Sequence, residues 1–487
     1  TLLCKGTLHK SEGFLTEPLG PTLSKNATRS NSMTKKRLLA AVTAVAMVAG
    51  TFVGASSAQG ADRVVTVWSP YKGGNLDLWN ASLKRIEKAN PGLTIKSVGS
   101  VDMAKSLAAI NAGNGPDISV ANGAGNLGWF CGTGAWQRLN TMIASSNGIN
   151  MRATFAPAAV DYTISSQNRC GLPAVGSETF GFYYNKDLLK AAGYTAAPKT
   201  TKELLDMSIK LTKFNSDGSI KVAGFVPWAG YYGFEMDAMW LGLMFGAKWY
   251  GGAGEPAFAT DAKWAKAFTW QKDFIAKVYG DGNFQTGSTK LTKFVAARGD
   301  EWGAGHDFVS GRVAMKLDAD WMAPMFCDPD GWALNPCTSP AVNFGTAPFP
   351  VEASILASNY GSGLVGGQVM GISKGSKNVK DAWIVIKGLA TDTQLAIDYA
   401  NDNGSVPVLN AALKSGKIKY PAIYQTFYNI AANPKSGYHT LKNTGEHLED
   451  VEIYNFMSAW QAGSVSDLKS GLKDVAAKVS SILSRNY

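Results

Sequence analysis

Apolar residues crowd positions 64–68 into a run that reads as a strand, and a polar, glycine-bearing turn follows at 71–75. Trp79, Leu83 and Ile86 then recur at helical spacing until Asn90-Pro91-Gly92 ends the periodicity. A second strand at 93–98, a further helix and a strand at 117–121 continue the alternation, which predicts an open α/β sheet. An aromatic-rich strand is expected at 179–184. It hands over to a helix capped by Asn185, with Asp187 in its first turn and Gly193 as its stop. Thr200 and Glu203 have capping-box spacing, and Leu204, Leu205, Met207, Ile209 and Leu211 are expected to give the next helix a buried stripe. Short strands at 311–318 and 342–348 and a helix at 379–390 complete the pattern, with neither heptads nor a solenoid-length repeat.

One apolar stretch belongs to none of these elements. Met33 opens MTKKRLLAAVTAVAMVAGTFVGASSA, in which Lys35, Lys36 and Arg37 precede an apolar run at 38–53 and a small-residue site at Ser56-Ser57-Ala58. This is the layout of a secretory signal peptide at 33–58, and residues 1–32 are expected to be an upstream extension foreign to the native protein. The cleavage site carries no lipid-acceptor cysteine, so the expected product is exported, free in a periplasm or secreted. The first 58 residues hold seven of the 47 basic and two of the 37 acidic residues, which lowers the charge of the remainder from +10 to +5. No Lys/Arg run remains, so nucleic-acid binding is not expected. Cys131, Cys170, Cys327 and Cys337 follow the leader. An even count in an exported chain suggests two disulfides. Proximity favours Cys327 with Cys337 and Cys131 with Cys170; sequence alone leaves the other pairings open. Zinc is a weak rival without CxxC spacing or a neighbouring histidine.

Several aromatic residues sit in loops beside glycine and aspartate rather than in periodic stripes. Trp68 and Tyr71 bracket the turn after the first strand; Trp228, Tyr231 and Tyr232 lie in PWAGYYGFE; Trp321 closes DADW. Flat aromatic faces placed near fixed polar groups suit a ring of hydroxyls with an apolar underside. The polar candidates are Asn122, Glu178, Asp320 and the Gly366-Gly367-Gln368 turn. Each has a plainer reading: Glu178 as a structural tie, Asp320 as a helix cap, the paired glycines as a turn. Residues 123–128 fit GxGxxG after a strand, but Trp129, Cys131 and Gly132 break up the helix it should open, and no acidic residue stands near twenty positions on. Residues 361–366 fit the same pattern and run into an expected strand. No cofactor and no metal are expected. After the leader the histidines are His306, His439 and His447, outside any HExxH. Asp300 and Glu301 are adjacent, so their side chains diverge.

The stretch ETFGFYYNKDLLKAAGYTAAPKTTKE at 178–203 resembles the signature region of extracellular sugar-binding proteins of bacterial ABC importers. Further resemblances follow in the family's order: PDISVANGAGNLGWF, GLPAVGSE, GRVAMKLDADW, FGTAPFP, GGQVMGISKGSKNVKDAWIVIKGL and DNGSVPVLNAAL. The resemblance implies an α/β, two-lobed periplasmic-binding-protein fold with a three-crossing hinge near 174–177, 363–367 and 412–417. The N-terminal lobe would comprise 59–175 and 368–415, the C-terminal lobe 176–367 and 416–487. It further implies a monomer that captures a sugar or oligosaccharide between its lobes and delivers it to membrane permease subunits, without catalysis. In that scheme Trp68 and Asn122 serve the N-terminal lobe, Trp228, Tyr232 and Trp321 stack from the C-terminal lobe, and Glu178, Asp320 and Gly367 supply hydrogen bonds near the hinge. The alternatives are another small solute, a glycerophosphodiester, a polyol or ferric iron, and a secreted carbohydrate-active enzyme.

Overall fold

A computed structural model describes residues 63–484 except 165–167, 233, 253, 301, 330–336, 338–339, 420 and 438–447. The expected leader and extension, Glu301, His439 and His447 lie outside the described residues. The strands are β1 (Arg63–Trp68), β2 (Leu93–Val98), β3 (Ile118–Ala121), β4 (Gly171–Asn185), β5 (Lys213–Phe214), β6 (Ile220–Phe225), β7 (Val313–Ala319), β8 (Phe344–Ala347) and β9 (Val365–Ile372). They join in one mixed sheet in the order β2-β1-β3-β9-β4-β7-β6-β5, with β8 also pairing β4. β1 runs parallel to β2 and β3, as strand-helix-strand connections require, whereas β9 runs antiparallel to both β3 and β4.

β4 is the spine. Its first half pairs with β9, and its second half is flanked by β7 and β8. Midway, β4 takes four steps, from Pro173 to Ser177, against two on β9, from Val369 to Gly367. This bulge-like offset bends the strand where it passes from one core to the next. Leu172, Ala174 and Val175 belong to a first core with Val67, Trp79, Ile118, Trp136, Val369 and Ile386. Phe180 and Phe182 belong to a second, with Phe225, Trp240, Trp264, Phe268 and Met315. Tyr183, pointing to the opposite face as strand alternation demands, enters a third with Phe308, Phe326, Phe344, Val406 and Phe427. β4 and β9 therefore connect the cores. The chain touches this region again at Val406, returns to the first core through Leu409 and Ala412, and leaves it after Ile418.

Local signals in the sequence account for most boundaries. Asn185 caps the helix Lys186–Ala191, and Thr200 and Glu203 form the complete capping box of Thr201–Leu211. Two expectations need correction. The turn after β1 is shorter than expected, because the helix Gly73–Ala89 already begins inside it at Gly73, which takes a φ of 49°. Ile209 is exposed: Leu204, Met207, Ser208 and Leu211 make the buried face, and at 100° per residue Ile209 falls outside it. Disulfides join Cys131 to Cys170 and Cys327 to Cys337, the pairing favoured by proximity.

Candidate functional site

Beside the bend in β4 lies a cleft of about 210 Å³. Asn122, which follows β3, lines it from the first core. Gly176, Ser177 and Glu178 contribute from the bend, Gln368 from β9, Tyr399 from the helix Thr393–Asn403, Ser405 from the linker after that helix, and Trp321 from the turn after β7. Four residues picked out from sequence, Asn122, Glu178, Trp321 and Gln368, thus converge from separate parts of the chain. The adjacent Gly123 runs beside the Glu178 carboxylate: a Cβ there would lie 3.5 Å from Glu178 Oε2 and 3.7 Å from Asn126 Nδ2, both ordinary contact distances. The GxGxxG-like stretch passes beside a carboxylate and forms a short 3-10 turn followed by the helix Leu127–Cys131.

Tyr71 is 4% exposed and donates from its hydroxyl to Gln368 Oε1 at 2.6 Å. It orients a wall of the cleft from beneath. Asp320 is completely buried and accepts hydrogen bonds from backbone N–H groups. Burial pushes its carboxyl up to about 8. Gly366 and Gly367 pair with Glu178 and Ser177 across the β4–β9 ladder. A Cβ on Gly367 would lie 2.6 Å from the Tyr162 hydroxyl and 2.9 Å from Gly176 O, so close approach of the two strands requires glycine there. Trp68, Trp228, Tyr231 and Tyr232 do not line this cavity. Trp68 ends β1 half-buried. The other three pack on the second core, where Tyr231 donates to Asp307 Oδ2 at 2.8 Å and Tyr232 stacks on Phe225 with ring centres 6.0 Å apart.

Four lining residues and one neighbour escaped the sequence reading. Gly176 and Ser177 lay within the expected hinge but carried no binding assignment. Tyr399 sits inside a helix, where an aromatic reads as core; its hydroxyl is held above its ordinary pKa by burial, then by Glu178 and Asp320. Ser405 lies within DNGSVPVLNAAL. Trp302 stacks on Trp321 with ring centres 5.7 Å apart and planes 26° from parallel, and is 52% exposed. It met the same test as Trp228, an aromatic beside glycine and acidic residues in a loop, and could have been found that way. Two larger hollows among the described residues lie elsewhere. One of about 640 Å³ runs beside Phe284–Ala296 and is bordered by Lys290, Lys293 and Arg312. Another, of about 450 Å³, is bordered by Asp161, Trp249, Tyr250 and Lys435.

Residues 81–426 match a sequence family described as bacterial extracellular solute-binding protein. Among solved structures, CpMnBP1 with mannotriose bound is 25% identical, with a TM-score of 0.65 over 85% of this chain and 99% of that one. The sugar-binding protein MalE from the phytopathogen Xanthomonas citri is 19% identical, with a TM-score of 0.65 over 87% and 98%. The cyclic alpha-maltosyl-1,6-maltose binding protein from Arthrobacter globiformis is 17% identical, with a TM-score of 0.64 over 86% and 98%. These likenesses establish the two-lobed α/β fold. No curated protein sequence matches the chain.

Proposed function

The chain belongs to the bacterial extracellular solute-binding proteins, and from that premise we propose that it captures a neutral sugar or oligosaccharide for an ABC importer. The observation that carries this is the convergence of Asn122 from one core, Trp321 from the other and Glu178 from the strand that joins them upon one cleft. Ligand hydroxyls would bond Asn122, Glu178, Gln368 and Ser405, while the Trp321 indole takes an apolar sugar face and Trp302 extends that surface outward. A solute touching both lobes binds the closed arrangement more tightly and shifts the population toward it; the closed form then docks on the permease.

Among the described lining residues the charged group is a carboxylate, with no lysine or arginine, which disfavours a phosphodiester. We take the protein to be an exported monomer that binds without turnover. No helix among the described residues is long and apolar enough to cross a membrane. CpMnBP1 holds mannotriose and mannobiose in its structures, and a structural neighbour from Bdellovibrio bacteriovorus holds maltotriose, so manno- and malto-oligosaccharides are the first ligands to try. The test is calorimetric titration of the protein from Gln59 onward with mannotriose, maltotriose, monosaccharides, glycerophosphodiesters and ferric citrate. Saturable binding confined to sugars supports the proposal; binding confined to phosphodiesters or iron would overturn it.

A further inference from the structure

We propose that Asp320 is the positioning residue of the sugar pocket, a buried carboxylate that holds three of its walls in register without touching the ligand. The inference rests on the reading of the cleft as the sugar site. Oδ1 of Asp320 accepts from Thr179 N at 3.3 Å and from Trp321 N at 3.0 Å, and Oδ2 accepts from Val406 N at 2.9 Å. Each donor marks a wall of the cleft. Thr179 directly follows Glu178, Trp321 is itself a lining residue, and Val406 directly follows Ser405. Thr179 and Val406 stand 141 and 86 positions from Asp320 in sequence, so the carboxylate ties together segments that are distant along the chain, beside the β4–β7 pairing of Phe180 with Ala319.

The surroundings fix the clamp on both sides. Tyr424 donates to the carbonyl of Asp320 at 2.9 Å, which holds the backbone of the turn. Ser177 donates to the Val406 carbonyl from its N–H at 2.9 Å and its hydroxyl at 2.8 Å, so the linker is gripped from β4 as well. No lysine or arginine pairs with Asp320 among the described residues. A cation would accept many geometries, whereas three directional N–H bonds define one. Tyr183 from β4, Tyr399 from its helix, and Tyr424 and Tyr428 from 422–432 are the titratable groups that face it, while Asp318 and Glu178 lie beyond them, beside Tyr183 and Tyr399 respectively. Burial raises all four tyrosine hydroxyls above their ordinary range, so none of them titrates between pH 6 and 9. The chemistry also explains the residue type. Aspartate offers two acceptor oxygens and, when ionised, no donor; asparagine of the same shape must turn an NH₂ toward at least one of these N–H groups.

The diagnostic variant is therefore Asp320→Asn, compared with Asp392→Asn, a carboxylate that caps the helix Thr393–Asn403 away from the cleft. Amide hydrogen exchange of the ligand-free proteins reads the clamp directly. Asp320→Asn should expose the amide of Thr179, Trp321 or Val406 to exchange about tenfold faster or more, as loss of a buried acceptor implies. Titration with mannotriose and maltotriose should show affinity about 10- to 100-fold weaker in folded Asp320→Asn. Asp392→Asn should bind within about twofold of wild type while losing stability. In the wild type, affinity should strengthen as pH rises from 7 to 9 and Asp320 ionises, and this slope should vanish in Asp320→Asn. Unchanged protection at all three amides with unchanged sugar affinity would overturn the proposal. Should Asp320→Asn fail to fold, a flat wild-type pH profile would overturn it. Should neither sugar bind the wild type, the sugar reading fails on its own and the exchange measurement still decides the clamp.

Discussion

Gly367→Ala is a sharp test of how β4 and β9 pack at the bend. The added methyl would lie 2.6 Å from the Tyr162 hydroxyl, 3.0 Å from the ring carbon that bears it and 2.9 Å from the Gly176 carbonyl oxygen. The tyrosine is 2% exposed and the carbonyl belongs to the strand offset, so neither can swing aside into solvent. Overpacking of a filled interior costs about 1–3 kcal/mol, and two simultaneous clashes, one with backbone, place the expectation near 3. Tyr162→Phe should move the other way. Its hydroxyl is buried and has no hydrogen-bond partner among the described residues, so removing it should stabilise the protein by about 1 kcal/mol. In Gly367→Ala/Tyr162→Phe the closest contact is gone while the carbonyl clash stays, so the double variant should recover about 1 kcal/mol beyond the sum of the singles. Urea unfolding of the four proteins, analysed as a double-mutant cycle, gives these quantities. A zero coupling term, or a Tyr162→Phe protein clearly less stable than wild type, would refute the reasoning.

Trp321→Ala should weaken sugar binding by roughly 60-fold, the equivalent of about 2.5 kcal/mol for about 100 Å² of apolar contact, measured by calorimetry. Trp302→Ala, which removes the exposed outer ring, should cost about tenfold by the same assay, with more loss for a trisaccharide than for a monosaccharide. Replacing Cys131 and Cys170 with serine opens the longer loop, of 39 positions, and should cost about 4 kcal/mol, against about 3 kcal/mol for the 10-position loop of Cys327 and Cys337; urea midpoints rank the two. His306 is buried against Lys316, with Nε2 and Nζ 3.0 Å apart, and burial first, then the lysine, lowers its pKa to about 2. The unfolded chain takes up this proton below about pH 6.5 and the folded chain does not, so stability should fall by roughly 2–3 kcal/mol from pH 6.5 to 4.5. His306→Gln should flatten that slope in unfolding curves collected across the range.

Legibility followed the range of the interaction. Helix caps at Asn185 and Thr200 were readable because cap and partner lie within four residues. Glu178 and Trp321 were readable from local chemistry and the resemblance combined. Tyr399 was not, since only its neighbours across the fold, Gln368 and Glu178, distinguish it from an ordinary core tyrosine. Asp320 was noticed as a polar group beside an aromatic, but sequence cannot tell a side chain aimed at the solute from one turned inward to the backbone. Gly367 looked like half of a turn, whereas its need for a missing Cβ arises from Tyr162, more than two hundred positions earlier.

The antiparallel seat of β9 between β3 and β4 also sets an order of assembly. During synthesis β3 is complete at Ala121, yet the strand that covers its open edge begins only at Val365, 244 positions later. Until then the first lobe has an unpaired sheet edge and an unfinished core, because Val369, Ile386 and Leu389 have yet to be made. A nascent chain of this design therefore cannot close its first core until synthesis has entered about the last quarter of the sequence.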